Sequence, residues 1–264
     1  MVYFNLLPDK IKHLIEDGAI FYCSHSGGKD SQAMSNFLRE IIPAEQLCYV
    51  HANLGEVEWD GVISHIKNTI DGLLNIVQGK NTLLQQVEKR FQTRPNVPSW
   101  PSPRYRQCTS DLKTGPIMKF IRNDLKARGK STGVNCVGIR AEESSKRAQK
   151  QSFSLNVKGT VSKRVTRTLY DWLPIFDWSE AEVYDFIDAA GQKPFWAYGD
   201  RGSLNSRLSC VFCIMGSKSD LRHGAKENPE LFQKYLNLEK KTGYTMFQSK
   251  GENIPLNVYM QEVA

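Results

Sequence analysis

Ser26-Gly27-Gly28-Lys29-Asp30-Ser31 is the stretch from which the fold of this chain can be read. Ahead of it lies a short apolar run, Ala19-Ile20-Phe21-Tyr22-Cys23. Behind it, Ala33, Met34, Phe37, Leu38 and Ile41 recur at helical spacing until Pro43 stops them. The hexapeptide therefore joins a strand to a helix. Its two glycines let the backbone curl closely round an anion, and the helix N-terminus behind them offers unpaired N–H groups. Lys29 adds a positive charge, and Ser26 and Ser31 add hydroxyl donors. These are the parts of a phosphate cradle, but their spacing differs from the G-x-x-x-x-G-K-[ST] loop.

Outward from this loop, strands and helices alternate. Leu47-Cys48-Tyr49-Val50 reads as a second strand, followed by a helical pattern through Val57, Val62, Ile66 and Ile70. Leu73–Val77 reads as a third strand and Val134–Ile139 as a fourth, the latter after a basic helix from about Thr114 to Arg128. Such alternation predicts an α/β fold, a parallel twisted sheet with helices on both faces. Two stretches interrupt it. Thr93 to Arg106 carries Pro95, Pro98, Pro101 and Pro103 with Arg94, Arg104 and Arg106, and reads as a long surface loop in which Trp100 could stack on a base. Ala148 to Arg167 is polar and basic, including Lys150, Lys158, Lys163 and Arg164, and reads as a flap or a solvated insertion. From about Trp178 the chain looks mainly helical, with Asn228-Pro229 opening a helix that reaches Lys241 and is closed by Gly243. The expected division is a nucleotide-binding domain over 1–177 and a smaller helical subdomain over 178–264.

Of 264 residues, 40% are hydrophobic and 24% charged, enough to bury a core and to exclude a wholly disordered chain. The net charge of +7 suits a polyanionic partner. No run approaches about eighteen apolar residues and no signal peptide is evident, so a cytoplasmic protein without membrane contact is expected. Its six cysteines should then be reduced. Cys23, Cys48 and Cys136 lie in apolar runs and read as core residues.

The hexapeptide resembles the SGGxDS pyrophosphate loop of the N-type ATP pyrophosphatases. Further matches point to their phosphoadenosine-phosphosulfate reductase branch: Val50-His51-Ala52-Asn53-Leu54-Gly55 with Glu56 and Trp59, Arg106–Lys113 with Pro116, Gly138-Ile139-Arg140 with Ser144 and Arg147, and Leu173–Trp178. The resemblance implies an adenine nucleotide alpha hydrolase-like fold and ATP cleavage between the α- and β-phosphates, with Mg²⁺. It implies catalytic roles for Lys29, Asp30 and Arg140. Nucleotide contacts would come from Ser26, Gly27, Gly28, Lys29, Asp30, Ser31, His51, Asn53, Gly138, Arg140, Ser144 and Arg147. True sulfonucleotide reductases of this type carry a cysteine in a short C-terminal tail; Asn257–Ala264 holds none. Other members transfer sulfur to nucleic acid, including the proteins of bacterial DNA phosphorothioation. That implies DNA in preference to RNA as acceptor, a cysteine desulfurase as sulfur donor and further modification-system subunits, and it is compatible with a homodimer. tRNA thiolation, sulfonucleotide reduction and a nucleotide-gated nucleic-acid-binding module are the alternatives.

Cys108 and the pair Cys210-x-x-Cys213 lie in polar surroundings. Relatives with a cubane cluster have two adjacent cysteines near the Cys108 position; here the second is Thr109. Three thiolates could hold a [4Fe–4S] cluster with one open iron. Zinc would need a fourth ligand, for which His223 is nearest. A redox or persulfide-carrying thiol pair and plain structural thiols are the other readings. The three thiols are expected to converge beside the nucleotide cleft, with the C-terminal subdomain folded over the carboxyl ends of the strands.

Overall fold

The computed structural model describes residues 5, 7–160, 167–249 and 251–261. Lys163 and Arg164 of the basic segment lie outside the described residues.

The chain opens with α1 (Asp9–Glu16) and the buried β1 (Ile20–Ser24). α2 (Lys29–Ile41) follows and ends as expected, because Pro43 disfavours helical backbone at Ile42, which is extended. Next come β2 (Leu47–Asn53) and α3 (Val62–Thr69). The helical pattern expected from Val57 is cut short by Gly61, whose φ of 84° is left-handed. β3 (Leu74–Gln78), α4 (Leu83–Thr93), α5 (Gly115–Ala127) and β4 (Thr132–Val137) continue the alternation. After α6 (Ser145–Ala148), β5 (Phe153–Leu155) and α7 (Val157–Thr160) comes β6 (Thr168–Trp172). The basic stretch expected to be a flap or an insertion thus contains a strand: β5 pairs antiparallel with β6, and Phe153 stacks on Tyr170 at 5.0 Å. Three residues are too few to show an alternating pattern in sequence.

The sheet order is β3-β2-β1-β4-β6-β5. β1 runs parallel to both β2 and β4, and β4 parallel to β6. Ile20 and Tyr22 pack with Ile121 and Leu125 of α5, and the Tyr22 hydroxyl donates to Asp124 at 2.8 Å. The next residue, Cys23, contacts Ser35 of α2. Because strand side chains alternate, α5 and α2 cover opposite faces. The chain leaves β1 for β2 on one side and reaches β4 on the other, which makes the carboxyl ends of β1 and β4 the place where such sheets bind ligands.

The remaining elements are α8 (Glu180–Ala189), α9 (Lys218–Glu227), α10 (Pro229–Thr242), the hairpin β7 (Phe247–Ser249) and β8 (Glu252–Ile254), and α11 (Leu256–Gln261). α10 begins at Pro229 and closes on left-handed Gly243, as read.

The chain forms two compact units, and neither is one continuous segment. The first comprises Met1–Ala52, Gly61–Val77 and Ile117–Phe195. It extends past the expected boundary at residue 177 because Phe37 of α2 meets Trp178 at 5.7 Å and Phe186 of α8 at 6.5 Å, edge to face. The second comprises Asn53–Asp60, Gln78–Pro116 and Trp196–Ala264. Its centre is aromatic: Tyr235 lies 4.9 Å from Phe212 and 5.4 Å from Trp100. Among the described residues no helix is long and apolar enough to cross a membrane.

Candidate active site

The Ser26–Ser31 loop leaves the carboxyl end of β1 and becomes the first turn of α2. Gly27 has φ 79°, a conformation that a side chain would strain, and Gly28 is the extended N-cap. No side chain caps this helix, and a helix N-terminus carries the partial positive charge that suits an anion. The loop is braced from within. Ser31 Oγ donates to the Gly28 carbonyl at 2.8 Å and accepts from Ser26 N at 3.1 Å. Gly27 N donates to His25 Nδ1 at 3.0 Å. With Nδ1 accepting, the imidazole is neutral. Burial, reinforced by His51 and His65, pulls the His25 pKa down to about 3. His51 lies beneath the same strand end, its Nδ1 2.9 Å from the His25 carbonyl.

Two buried cations meet at this loop. Lys29 is 3% exposed, yet its Nζ lies 3.1 Å from Glu180 Oε1 and 3.7 Å from Asp30 Oδ2. Arg140, also 3% exposed, donates from Nε to Asp30 Oδ1 at 2.5 Å and from Nη1 to Glu142 Oε2 at 2.6 Å. Burial pushes its pKa down, but the bonds to Asp30 and Glu142 outweigh this and raise it. Arg140 is placed by the end of β4, where Gly138 passes so close that a Cβ would lie 2.9 Å from the Asp30 carbonyl and from Ser31 N. Farther on, Ser144 Oγ caps α6 by accepting from Arg147 N at 3.3 Å, and Arg147 pairs with Glu143. Ser26–Ser31, His51, Gly138, Arg140, Ser144 and Arg147 therefore all lie in the first unit, with Gly138 and Arg140 directly against the loop.

This arrangement offers backbone N–H groups, an ammonium and a guanidinium to an anionic ligand, with solvent-exposed Glu142 and Glu180 as the carboxylates it would displace. The sequence matches the phosphoadenosine phosphosulfate reductase domain over residues 20–198, more than half of the chain. The chain belongs to that family. Its sequence is also 22% identical over 224 residues to an uncharacterized protein of Methanocaldococcus jannaschii, covering 84% of this chain and 48% of that one. The chain thus spans about half the length of that curated relative. Among solved structures it is similar to the phosphoadenylyl-sulfate reductase of Candida auris, with TM-score 0.43, 12% identity, and coverage of 72% of this chain and 80% of that one. It is also similar to a 4-thiouridine synthetase solved with RNA and bound ATP, with TM-score 0.40, 15% identity, and coverage of 85% and 53%.

The domain match ends before the C-x-x-C pair. Asn53 and all three candidate metal-ligating cysteines lie in the second unit. Asn53 Oδ1 accepts from Gly55 N at 2.7 Å, which shapes the turn after β2. Cys108 precedes a π-helical turn, Thr109–Thr114, that leads into α5. Burial raises the Cys108 thiol pKa and pushes that of Cys210 up to about 12, and each of these thiols lies within the electrostatic reach of Cys213. A shared neighbourhood is not a metal cradle, however. Among the described residues no three His, Cys, Asp or Glu side chains are gathered so as to hold an ion. His223, the expected fourth zinc ligand, is turned elsewhere. Its Nδ1 lies 2.7 Å from Asn205 Oδ1, and its ring lies 5.4 Å from Trp59 and 6.1 Å from Trp196.

Trp100 is 5% exposed and packs on Tyr235, so it is core and not a surface for stacking bases. Arg94, Arg104 and Arg106 of the same loop are exposed. Sequence reasoning missed His25, Glu142 and Glu180. His25 stands next to the loop and could have been flagged by position alone. The two glutamates resemble ordinary helix-start acids, and nothing in a linear pattern reveals their cationic partners.

Proposed function

We propose that this protein cleaves ATP between the α- and β-phosphates and couples the cleavage to sulfur transfer onto nucleic acid, with a DNA backbone phosphate as acceptor. The observation that carries the reading is the joint placement of Lys29 and Arg140, both buried, against an uncapped helix N-terminus at the switch point of the sheet. Fixed donors of this kind suit a terminal pyrophosphate held as the leaving group. An acceptor phosphate oxygen attacks the α-phosphorus, and the bond to the β-phosphate oxygen breaks to release pyrophosphate. Sulfide-level sulfur then attacks the acceptor phosphorus, and AMP departs with the acceptor's former oxygen. If Mg²⁺ accompanies the nucleotide, it would supply neutralisation of charge on the leaving group. Asp30 and Glu180 are the carboxylates beside Lys29 that could share such an ion. The net charge of +7 and the exposed Arg94, Arg104 and Arg106 support a nucleic-acid partner, and a cysteine desulfurase is the sulfur source this chemistry calls for.

The family match favours a second reading, reduction of a sulfonucleotide. Radioactive sulfur labelling of cells with and without the gene separates the two. Gene-dependent label in DNA is expected. Label confined to RNA would overturn the choice of acceptor. Label in neither, with purified protein releasing sulfite from phosphoadenosine phosphosulfate, would overturn sulfur transfer.

A further inference from the structure

We infer that the outer face of α5 and α7 is a docking surface for the backbone of double-stranded DNA, with Lys119, Arg122, Lys126, Lys158 and Arg167 as its phosphate contacts. The inference rests on the nucleic-acid part of the reading above. It gives that partner a place on the first unit, which contains all five residues.

Charge is segregated in this chain. From Gly115 to Lys130 the cations outnumber the single carboxylate, Asp124, by five to one. No Asp or Glu stands between Glu143 and Asp171, the stretch that holds Lys158 and Arg167 among further lysines and arginines. Even without Lys163 and Arg164, these two stretches together exceed the net charge of +7, so the rest of the chain is net acidic.

The fold brings the two stretches to one face. Met118, Ile121 and Leu125 turn one side of α5 onto the sheet, and Lys119, Arg122 and Lys126 follow the flanking stripe at i, i+3 and i+7. Asp124 is engaged elsewhere: it pairs with Arg128 at 2.7 Å and accepts from the Tyr22 hydroxyl. α7 is held to β6 through Leu169, which packs with Ile121 and Leu125 on the α5 side of the sheet. Thr160 Oγ1 accepts from Leu169 N at 2.9 Å, and a Cβ on Gly159 would lie 2.5 Å from a Leu169 methyl group. Arg167 Nε and Nη2 both donate to the Gly159 carbonyl at 3.1 Å, which fixes its guanidinium. Arg122 is close enough to act on it: burial, then this like charge, lowers the Arg167 pKa. Two neighbouring guanidiniums repel each other, and a phosphate between them would relieve that repulsion.

A DNA duplex suits this face better than other polyanions. The stripe from Lys119 to Lys126 rises about 10 Å, the axial length of about three phosphates along one strand of a duplex. The apolar side of α5 is packed on the sheet and is not free to enter a bilayer. Among its described residues the first unit exposes no large aromatic ring on which unpaired bases would stack, which favours a duplex over a single strand.

The test uses the full-length protein without nucleotide and a short fluorescent DNA duplex, with anisotropy read from low to high salt. The triple variant Lys119→Ala/Arg122→Ala/Lys126→Ala should bind more weakly and lower the slope of log K against log salt by about two to three, with its melting temperature unchanged. Lys158→Ala should lower the slope by about one. Arg122→Lys should keep the slope, because the charge stays. An unaltered slope in the triple variant, with the parent protein bound to DNA, would overturn this surface and leave a nucleic-acid acceptor standing. A parent protein that does not bind the duplex would overturn both. Single-stranded RNA or phosphatidylserine vesicles bound more tightly than the duplex at equal salt would overturn the choice of occupant.

Discussion

Arg140 Nε lies 2.5 Å from Asp30 Oδ1, a bond between the end of β4 and the first turn of α2 across 110 residues of sequence. It fixes the loop relative to the neighbouring strand, and on the proposed reading its guanidinium is a partner for a nucleotide phosphate. Arg140→Ala would leave Asp30 and Glu142 without their shared cation. Breaking this partly buried network, in which Lys29 still faces Asp30, should lower stability in urea unfolding by about 1–2 kcal/mol and abolish ATP turnover. Arg140→Lys should keep the fold but restore little activity, because an ammonium cannot span both carboxylates as the fork does.

Gly138→Ala tests the close approach of β4 to the loop. A Cβ 2.9 Å from the Asp30 carbonyl and Ser31 N meets backbone and cannot be relieved by a rotamer change. The expected loss is about 1–3 kcal/mol of stability, with a rise in the KM for ATP larger than the fall in kcat. Unchanged melting and kinetics would show that the two segments separate at no cost.

How much of this was legible in the sequence depends on distance along the chain. The strand–loop–helix of β1 and α2 was readable because its signals lie within about two dozen residues: an apolar run, a Gly pair, helical spacing and Pro43. The start and end of α10 were readable for the same reason. β5 was hidden, since three residues next to a polar segment carry no periodicity. The place of α8 in the sheet unit was hidden too, because it depends on Phe37 meeting Trp178 and Phe186 about 140–150 residues away. Trp100 looked like an exposed platform in a Pro/Arg loop, and only its contact with Tyr235 shows it to be core. Lys29 and Arg140 were named from motif resemblance, whereas Glu180 and His25 emerge only when the loop is seen from inside.

His25 predicts an acid sensitivity. Burial first, then His51 and His65, hold its folded pKa at about 3, against about 6.5 when unfolded. Between those values the unfolded chain binds a proton that the folded one refuses, so stability falls as pH falls from about 6.5 towards 3. The slope is up to about 1.4 kcal/mol per pH unit. His25→Asn keeps an acceptor for Gly27 N and removes the titration, so its stability relative to the unaltered protein should improve as the pH is lowered through that window. Parallel urea-stability curves for the two proteins from pH 7 to 4 would contradict this.

The exposed Arg94, Arg104 and Arg106 should contact phosphates of a nucleic-acid acceptor. Replacing all three with Ala should lower the slope of log K against log salt by up to about three, while ATP affinity stays unchanged. Binding with the original salt slope would place the nucleic-acid contacts elsewhere.

Cleavage of ATP at the α–β bond by the Ser26–Ser31 loop is tested most directly by product analysis with ATP labelled at the α- or the γ-phosphate. Purified protein with Mg²⁺, persulfide donor and DNA should release AMP and pyrophosphate in equal amounts. Lys29→Ala should reduce that release by about 10²–10³-fold with its melting temperature little changed. ADP with orthophosphate, or AMP formed equally well by Lys29→Ala, would contradict the account.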